Sequence, residues 1–239
     1  MGDLVFIGDA HLDRDDPHLD AFLRLLDSLA VTAARIVFLG DLFNLWIGQP
    51  ELEQPHQAAV VAKLAEIRSR GVVTRYLEGN RDYRIGASYA GRAFDDVSIG
   101  GIDEPFGGRG IWAIHGDLAN PADRQYRSWR RFSRSSLMWM LFNLVPRGRR
   151  LRWAESVETR MRASNVAFKE HFPERQVTDY ARTFIREGRE VVVLGHFHVE
   201  KDLALGGSGR LLVLPEWRSS RRHLRVSPDG EIRFVDSAV

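Results

Sequence analysis

Residues 191–199 read VVVLGHFHV, an apolar run that ends in a glycine and two histidines on either side of a phenylalanine. A run of Val and Leu this short is typical of a buried strand rather than of a helix. In an extended chain, alternate side chains point to the same side. His196 and His198 are therefore expected to project together beyond the carboxyl end of this strand. One such pair identifies no function, and its meaning depends on what the other strands carry.

Four more short apolar runs end in polar residues. They are LVFIGDAH (4–11), RIVFLGDLFN (35–44), VVTRYLEGNRD (72–82) and IWAIHGD (111–117). Each reaches Asp, Asn or His beside a glycine, which permits a close backbone approach. Predicted helices alternate with these runs in the first half of the chain, which indicates an α/β fold with its sheet covered on both faces. In such sheets, sites form at the carboxyl ends of the strands.

The rest of the chain is organised around this pattern. Helices are predicted over residues 15–30 (DDPHLDAFLRLLDSLA), 55–70 and 173–187. The last two apolar runs are predicted to form a hairpin closed by a Pro-Asp-Gly turn. We expect a single domain over residues 1–239, with residues 121–172 as a helical insertion within it.

The five strand ends carry seven side chains that suit metal ions. Four are imidazoles, two are carboxylates and one is an amide, which is too many for one ion and suitable for two. Mixed nitrogen and oxygen ligands without sulfur favour Mn, Fe, Co or Zn over Ca or Mg. A pair of such ions can hold a hydroxide and clamp a phosphoryl group for in-line displacement at phosphorus. The candidate ligands are Asp9, His11, Asp41, Asn80, His115, His196 and His198.

The ordered blocks DAH, GDLF, GNRD, HGD and GHFH, which together span residues 9–198, resemble the five blocks of the calcineurin-like metallophosphoesterases. The resemblance implies a four-layer sandwich of two mixed β-sheets flanked by helices. It also implies that Asp41 bridges two ions, one held with Asp9, His11 and His198 and the other with Asn80, His115 and His196. Asp82 and Asp117 would orient the ligands from behind.

Arg81 follows the asparagine of the third block, where many members of that family have a histidine. A guanidinium cannot donate its proton near neutral pH, but it neutralises phosphate charge, which favours a pyrophosphate over an alkyl monoester. An arginine at this position, together with DLF and WIG after the second block, resembles the pattern of the UDP-2,3-diacylglucosamine pyrophosphatases of lipid A synthesis. That branch implies manganese, and attack at the α-phosphorus that releases UMP and 2,3-diacylglucosamine 1-phosphate. The predicted catalytic residues are Asn80, Arg81, His115 and His196.

The insertion at 121–172 suits such a substrate. It carries a net charge of +8, against −6 for the rest of the chain, and residues 137–145 form a nearly unbroken apolar run. Apolar residues beside an Arg cluster are typical of an element at an anionic membrane surface or of a lid over acyl chains. By resemblance, the predicted substrate-binding residues are Asn80, Arg81, Asp123, Tyr126, Asn165, Lys169 and His196.

Composition limits the alternatives. There is no cysteine, so disulfides and thiolate chemistry are excluded, and no stretch predicts a signal peptide or a membrane span. We expect a monomer in the cytoplasm, peripheral on the inner face of the cytoplasmic membrane. Hydrolysis of another nucleotide-linked lipid remains an alternative. A nuclease or nucleotide phosphodiesterase is a further one, although the apolar run argues against a nucleic-acid partner.

Overall fold

The computed structural model describes residues 2–164 and 172–237, and it contains two extended β-sheets with helices on their outer faces. The strands are β1 (Asp3–Ile7), β2 (Ala33–Phe38), β3 (Trp46–Ile47), β4 (Val73–Leu77), β5 (Asp82–Tyr83), β6 (Asp96–Ser98), β7 (Ile102–Asp103), β8 (Ile111–Ile114), β9 (Val191–Leu194), β10 (Lys201–Gly206), β11 (Gly209–Val213), β12 (Arg222–Val226) and β13 (Ile232–Asp236). The helices are α1 (Leu19–Thr32), α2 (Pro55–Ser69), α3 (Gly86–Tyr89), α4 (Arg124–Ser133), α5 (Ser136–Leu144), α6 (Arg147–Ser164), α7 (Glu174–Arg186) and α8 (Trp217–Ser220).

Both sheets are mixed. The first has the order β13-β12-β1-β2-β4-β6, in which β1, β2, β4 and β6 are parallel and the predicted hairpin β12–β13 adds two antiparallel strands. The second has the order β10-β11-β9-β8-β7, with a parallel centre and antiparallel edge strands. A short parallel pair, β3–β5, lies apart from both.

Three apolar clusters separate four layers, which confirms the predicted sandwich. Along β1 the side chains alternate: Val5 and Ile7 pack outward against α1 and α2, whereas Leu4 and Phe6 pack inward against the second sheet. A third cluster joins the outer face of the second sheet to α7. Because both faces of β1 are covered, the strand carries an unbroken apolar sequence instead of an alternating one.

The insertion contains α4, α5 and α6. Helix α5 contacts both of the others, and Phe142 is its buried anchor. Several large apolar side chains of α4 and α5 nevertheless remain exposed. Within residues 2–164 and 172–237, no helix combines the length and the hydropathy needed to cross a bilayer.

Candidate metal centre

The loops that follow β1, β2, β4, β8 and β9 bring the seven candidate ligands together at one edge of the sandwich. Ligand atoms of Asp9, His11 and His198 lie within 4.8 Å of one another. Those of Asp9, Asp41 and His115 do so as well. Asp9 therefore belongs to both groups, and the two groups are adjacent.

The first group combines two imidazoles with a carboxylate. The Nε2 atoms of His11 and His198 lie 3.1 Å apart. They lie 3.8 Å and 3.5 Å, respectively, from Oδ1 of Asp9. This oxygen is buried and accepts no hydrogen bond from the described residues. Two ring nitrogens and an unsatisfied carboxylate oxygen that lie this close together form a candidate coordination site for a cation.

Asn80 links His115 of the second group to His196. Its Oδ1 lies 2.8 Å from Nδ1 of His196 and 3.1 Å from Nε2 of His115. Nδ1 of His115 donates to the carbonyl oxygen of Leu39 at 2.5 Å. That bond fixes the ring so that Nε2 is the nitrogen presented to the centre.

Most of the ligands occupy backbone conformations that L-residues rarely adopt. Five of them have φ between 45° and 69°, in the left-handed region. A non-glycine residue there costs about 1–3 kcal/mol and is typical of functional sites. The five are Asp9, His11, Asp41, His196 and His198.

The left-handed turns correct one prediction. Strand β9 ends at Leu194, and His196 and His198 have φ values of 69° and 57° instead of extended ones. The two side chains do not project side by side. His196 turns towards Asn80, and His198 turns towards Asp9. The expectation that alternation along a strand pairs them is wrong, although both reach the same centre.

Gly79 is needed because no side chain fits beside the ligands. A Cβ at this position would lie 2.3 Å from Oδ1 of Asp41 and 2.8 Å from Cε1 of His115. Neither atom can retreat, since both side chains are buried. The glycine therefore lets the third loop approach Asp41 and His115 closely.

Replacing Gly79 with alanine is expected to displace the Asp41 carboxylate. Misplacement by about 1 Å costs roughly 10²-fold in rate, so we expect a loss of that order together with reduced metal content. Elemental analysis of purified protein and a phosphodiesterase assay measure both effects. Gly100→Ala is the matched control, because its Cβ would meet no atom within 4 Å. Full metal occupancy in Gly79→Ala would contradict this account.

Asp82 ties two ligand loops together. Its Oδ2 accepts hydrogen bonds from the backbone N–H groups of Asp41 at 2.9 Å and Gly79 at 2.7 Å, and from the Tyr76 hydroxyl at 2.8 Å. Burial and the nearby charge of Asp41 raise the pKa of Asp82 to about 7. The position agrees with the expected orienting role.

Arg81 points at the carboxylate of Asp41. Its backbone N–H donates to Oδ1 of Asp41 at 2.9 Å, and its Nε lies 3.4 Å from Oδ2 of the same residue. Nε and Nη1 are buried and form no hydrogen bond to any described residue. A guanidinium with unused donors beside the centre is suited to bind a phosphoryl oxygen.

The predicted residues of the fourth block and of α4 are partly brought to the centre. Asp117 accepts hydrogen bonds from the Tyr126 hydroxyl and from Arg130, and the ring of Tyr126 lies 6.4 Å from that of His196. The Asp123 side chain caps α4 by accepting from the backbone N–H of Tyr126 at 2.9 Å. Asn165 and Lys169 lie outside the described residues.

Sequence reasoning missed two charged residues next to α8. Arg218 donates to the carbonyl oxygen of His11 at 3.0 Å and pairs with Asp16 at 3.3 Å. Oε1 of Glu216 lies 3.8 Å from Nδ1 of His198. Arg218 and Glu216 each contact a histidine more than 15 residues away in sequence, and no sequence motif identifies either residue.

The protonation states suit divalent cations. Burial lowers the pKa of His196 to about 3 and that of His11 well below its ordinary value, so both rings are neutral at pH 7. Burial opposes ionisation of Asp9, but His198, whose Nε2 lies 3.5 Å from Oδ1, and the other neighbouring imidazoles hold the pKa of Asp9 below its usual range. Burial also disfavours the charged form of His115 and His198, but nearby carboxylates, Asp41 and Asp9 respectively, raise the pKa of these two rings. Imidazoles, carboxylates and an amide oxygen without sulfur fit Mn, Fe, Co or Zn.

The chain is similar to known hydrolases over nearly its full length. No protein-family model matches the chain. It is 32% identical over 237 residues to UDP-2,3-diacylglucosamine hydrolase of Stenotrophomonas maltophilia (strain R551-3), with 95% of each chain covered. It is 30% identical over 244 residues to the protein of the same name from Neisseria meningitidis serogroup B, with 97% of each covered. Among solved structures, a novel archaeal phosphodiesterase matches with a TM-score of 0.49 at 10% identity, with 98% of each chain covered. On the full-length similarity to these hydrolases, the chain belongs to the UDP-2,3-diacylglucosamine hydrolase family.

Proposed function

We propose that the protein hydrolyses the pyrophosphate of UDP-2,3-diacylglucosamine, releasing UMP and 2,3-diacylglucosamine 1-phosphate in lipid A biosynthesis. One observation carries the proposal: a cluster of seven metal-type ligands lies next to an apolar cavity. Tyr83, which lines the cavity, is two residues beyond Arg81. A phosphoester that bears long acyl chains would occupy both at once.

The seven ligands are proposed to hold two divalent ions, most favourably Mn²⁺. Asp41 would lie between Asp9, His11 and His198 on one side and Asn80, His115 and His196 on the other. Bound there, the ions would supply an activated water and neutralise charge on the phosphoryl group.

Arg81 and Asn80 are proposed to bind the phosphoryl oxygens directly. Because Arg81 keeps its proton, it cannot protonate a leaving alkoxide. A pyrophosphate needs no such acid, since the departing phosphate is already a stable anion. The Tyr126 hydroxyl donates a hydrogen bond to Asp117, and the Tyr126 ring lies beside His196, where the sugar of the substrate would bind.

The cavity is proposed to hold the acyl chains. It is a groove, partly open to solvent, between the β3–β5 pair and helices α4, α5 and α6, with about 490 Å³ of space that includes open solvent. A groove with apolar and aromatic walls suits a lipid chain. The walls include Leu45, Ile47, Trp129, Met138, Phe142 and Trp153. We therefore propose that the insertion at 121–172 acts as a lid on a single domain spanning residues 1–239.

The outer face of the lid is proposed to lie on an anionic membrane. Phe132, Leu137, Met140, Leu141 and Leu144 are between 42% and 73% exposed. Exposed arginines accompany them on α4 and α6: Arg124, Arg127, Arg131, Arg147, Arg149 and Arg152. An apolar face with basic neighbours binds the surface of anionic bilayers without crossing them. We place the protein as a monomer on the cytoplasmic face of the inner membrane.

Removing apolar side chains from this face should weaken membrane binding. For Leu137→Ser/Leu144→Ser we expect about a 10-fold or larger loss of partitioning into phosphatidylglycerol vesicles, because two leucines no longer enter the bilayer. Co-sedimentation with vesicles measures it. Val31→Ser is the control, because Val31 is 81% exposed but lies on α1. Equal partitioning of the double variant and the control would rule out this membrane face.

An assay of product release tests the reaction. The protein is incubated with Mn²⁺ and UDP-2,3-diacylglucosamine in detergent, and UMP formation is followed. Turnover of bis-p-nitrophenyl phosphate without UMP would keep the phosphodiester chemistry but reject this substrate. It would favour another nucleotide-linked lipid or a nucleotide phosphodiester.

A further inference from the structure

A second, polar cavity lies on the other side of α6. It is partly open to solvent and offers about 200 Å³ of space. Its lining is unlike that of the apolar cavity, with carboxylate, amide, hydroxyl and imidazole groups in place of aromatic rings. The lining residues are Leu12, Asp13, Asn44, Leu45, Gln54, His56, Glu155 and Thr159.

The polar cavity begins where the ligand loops end. The loops after β1 and β2 run side by side, with Leu12 donating to the carbonyl of Leu42 at 3.0 Å and Asn44 donating to that of Leu12 at 3.1 Å. Asp13 is two residues beyond His11, and Asn44 is three residues beyond Asp41. A group bound in this cavity is therefore adjacent to the metal centre on its His11 side.

Helix α6 separates the two cavities. Trp153, Ala154 and Val157 line the apolar one, whereas Glu155 and Thr159, one turn apart, line the polar one. Leu45 borders both. A substrate held at the metal centre could thus place its apolar half in the apolar cavity on one side of α6 and its polar half in the polar cavity on the other.

The polar cavity is built to accept hydrogen bonds rather than to bind phosphate. Asp13 and Glu155 contribute carboxylates, of which Asp13 already accepts from the Asn44 side chain at 2.6 Å, and no Lys or Arg side chain lines the part that the described residues form. His56 is 7% exposed, and its buried Nδ1 has no hydrogen-bond partner among those residues. A buried polar atom without a partner is costly unless a ligand or water satisfies it. The fitting ligand is neutral and rich in N–H and O–H donors.

We propose that this cavity binds the nucleoside of the departing nucleotide, through the imide N–H of the base and the hydroxyls of the ribose. The inference rests on the proposed function, since it assigns the half of the substrate that the apolar cavity cannot take. The glucosamine hydroxyls are the other source of such donors. They belong to the half that carries the acyl chains, and the apolar cavity holds that half on the opposite side of α6.

Conservative variants of α6 test the assignment. Glu155→Gln removes a carboxylate and Thr159→Val removes a hydroxyl, with little change in volume. In the double variant, we expect the inhibition constant of UMP to rise about 10-fold or more, as the loss of two hydrogen bonds predicts. Inhibition by 2,3-diacylglucosamine 1-phosphate and turnover of bis-p-nitrophenyl phosphate should remain as in the wild type. Ser156→Ala, an exposed position on the same helix, is the matched control.

Each other outcome has a distinct meaning. If the double variant weakens inhibition by the lipid product but not by UMP, the cavity binds the glucosamine half and the inference is wrong. If both products inhibit it as they do the wild type, the cavity binds neither half. If the wild type cleaves bis-p-nitrophenyl phosphate but releases no UMP from the UDP-lipid, the proposed function fails, and the nucleoside assignment fails with it.

Discussion

Asp41→Asn is expected to abolish nearly all phosphoester hydrolysis, with kcat lowered about 10³-fold or more. Asp41 is buried among the ligands, and its ligand atom lies within 4.8 Å of those of Asp9 and His115. An amide of the same shape keeps the packing but removes the negative charge that is proposed to lie between two cations. One oxygen also becomes an NH₂ group, which cannot coordinate a metal. The change should therefore be one of charge and coordination rather than of fold.

Three measurements separate these effects. Steady-state hydrolysis of bis-p-nitrophenyl phosphate gives kcat, elemental analysis gives the metal stoichiometry, and thermal unfolding without metal reports the fold. We expect at most one ion per chain and an unfolding midpoint close to or above that of the wild type, because burial raises the pKa of Asp41 and so disfavours its charge in the metal-free protein. Asp179→Asn on the surface of α7 is the control. Two tightly bound ions and near-normal kcat in Asp41→Asn would exclude a bridging role.

The candidate ligands could be recognised in the local sequence because of where they lie. Each ligand loop directly follows a buried strand, so a short apolar run and the polar residues after it can be recognised together. The parallel centre of each sheet then places those loops at one edge. The edge strand β10 (KDLALG) was not predicted, because its sequence mixes charged and apolar residues. Its place is set by pairing with β11, which is a tertiary contact.

The conformation of the loops could not be predicted from patterns. Periodicity assumes an extended chain, and it therefore placed His196 and His198 on one side. The left-handed turns at both residues orient His196 towards Asn80 and His198 towards Asp9. Such turns are unfavourable locally and persist only because surrounding contacts enforce them. One of these is the 2.8 Å hydrogen bond from the backbone N–H of His196 to Oδ2 of Asp9, which joins positions 187 residues apart.

The attachment of the insertion to the metal centre is a second feature that sequence patterns did not reveal. Arg134, at the end of α4, pairs with Glu78 at 2.7 Å and also donates to the carbonyl oxygen of Gly79. The Glu78 side chain is 2% exposed, and its other oxygen accepts from the backbone N–H of Ile85 at 2.6 Å. Arg134 therefore joins the proposed lid to the loop that carries Asn80.

Arg134→Ala is expected to lower the free energy of unfolding by about 3–5 kcal/mol, because it leaves the Glu78 carboxylate buried without its counter-charge. Urea unfolding measures the loss. Arg131→Ala, an exposed position on the same helix, should change stability by less than about 0.5 kcal/mol. The double variant Glu78→Gln/Arg134→Met removes both charges, and it should recover much of the stability that Arg134→Ala loses.

Activity distinguishes attachment from simple stability. If Arg134 positions the third loop, the stable double variant should still show a lower kcat, because the carbonyl of Gly79 has lost its donor and Asn80 follows directly. Hydrolysis of the small diester bis-p-nitrophenyl phosphate isolates this effect, since that substrate needs no lid. Wild-type kcat in the double variant would mean that the ion pair only holds the insertion on the core. A loss of kcat would mean that the insertion and the metal centre are mechanically coupled. Arg134, at the end of α4, would then help to set the position of Asn80, which lies on a different loop.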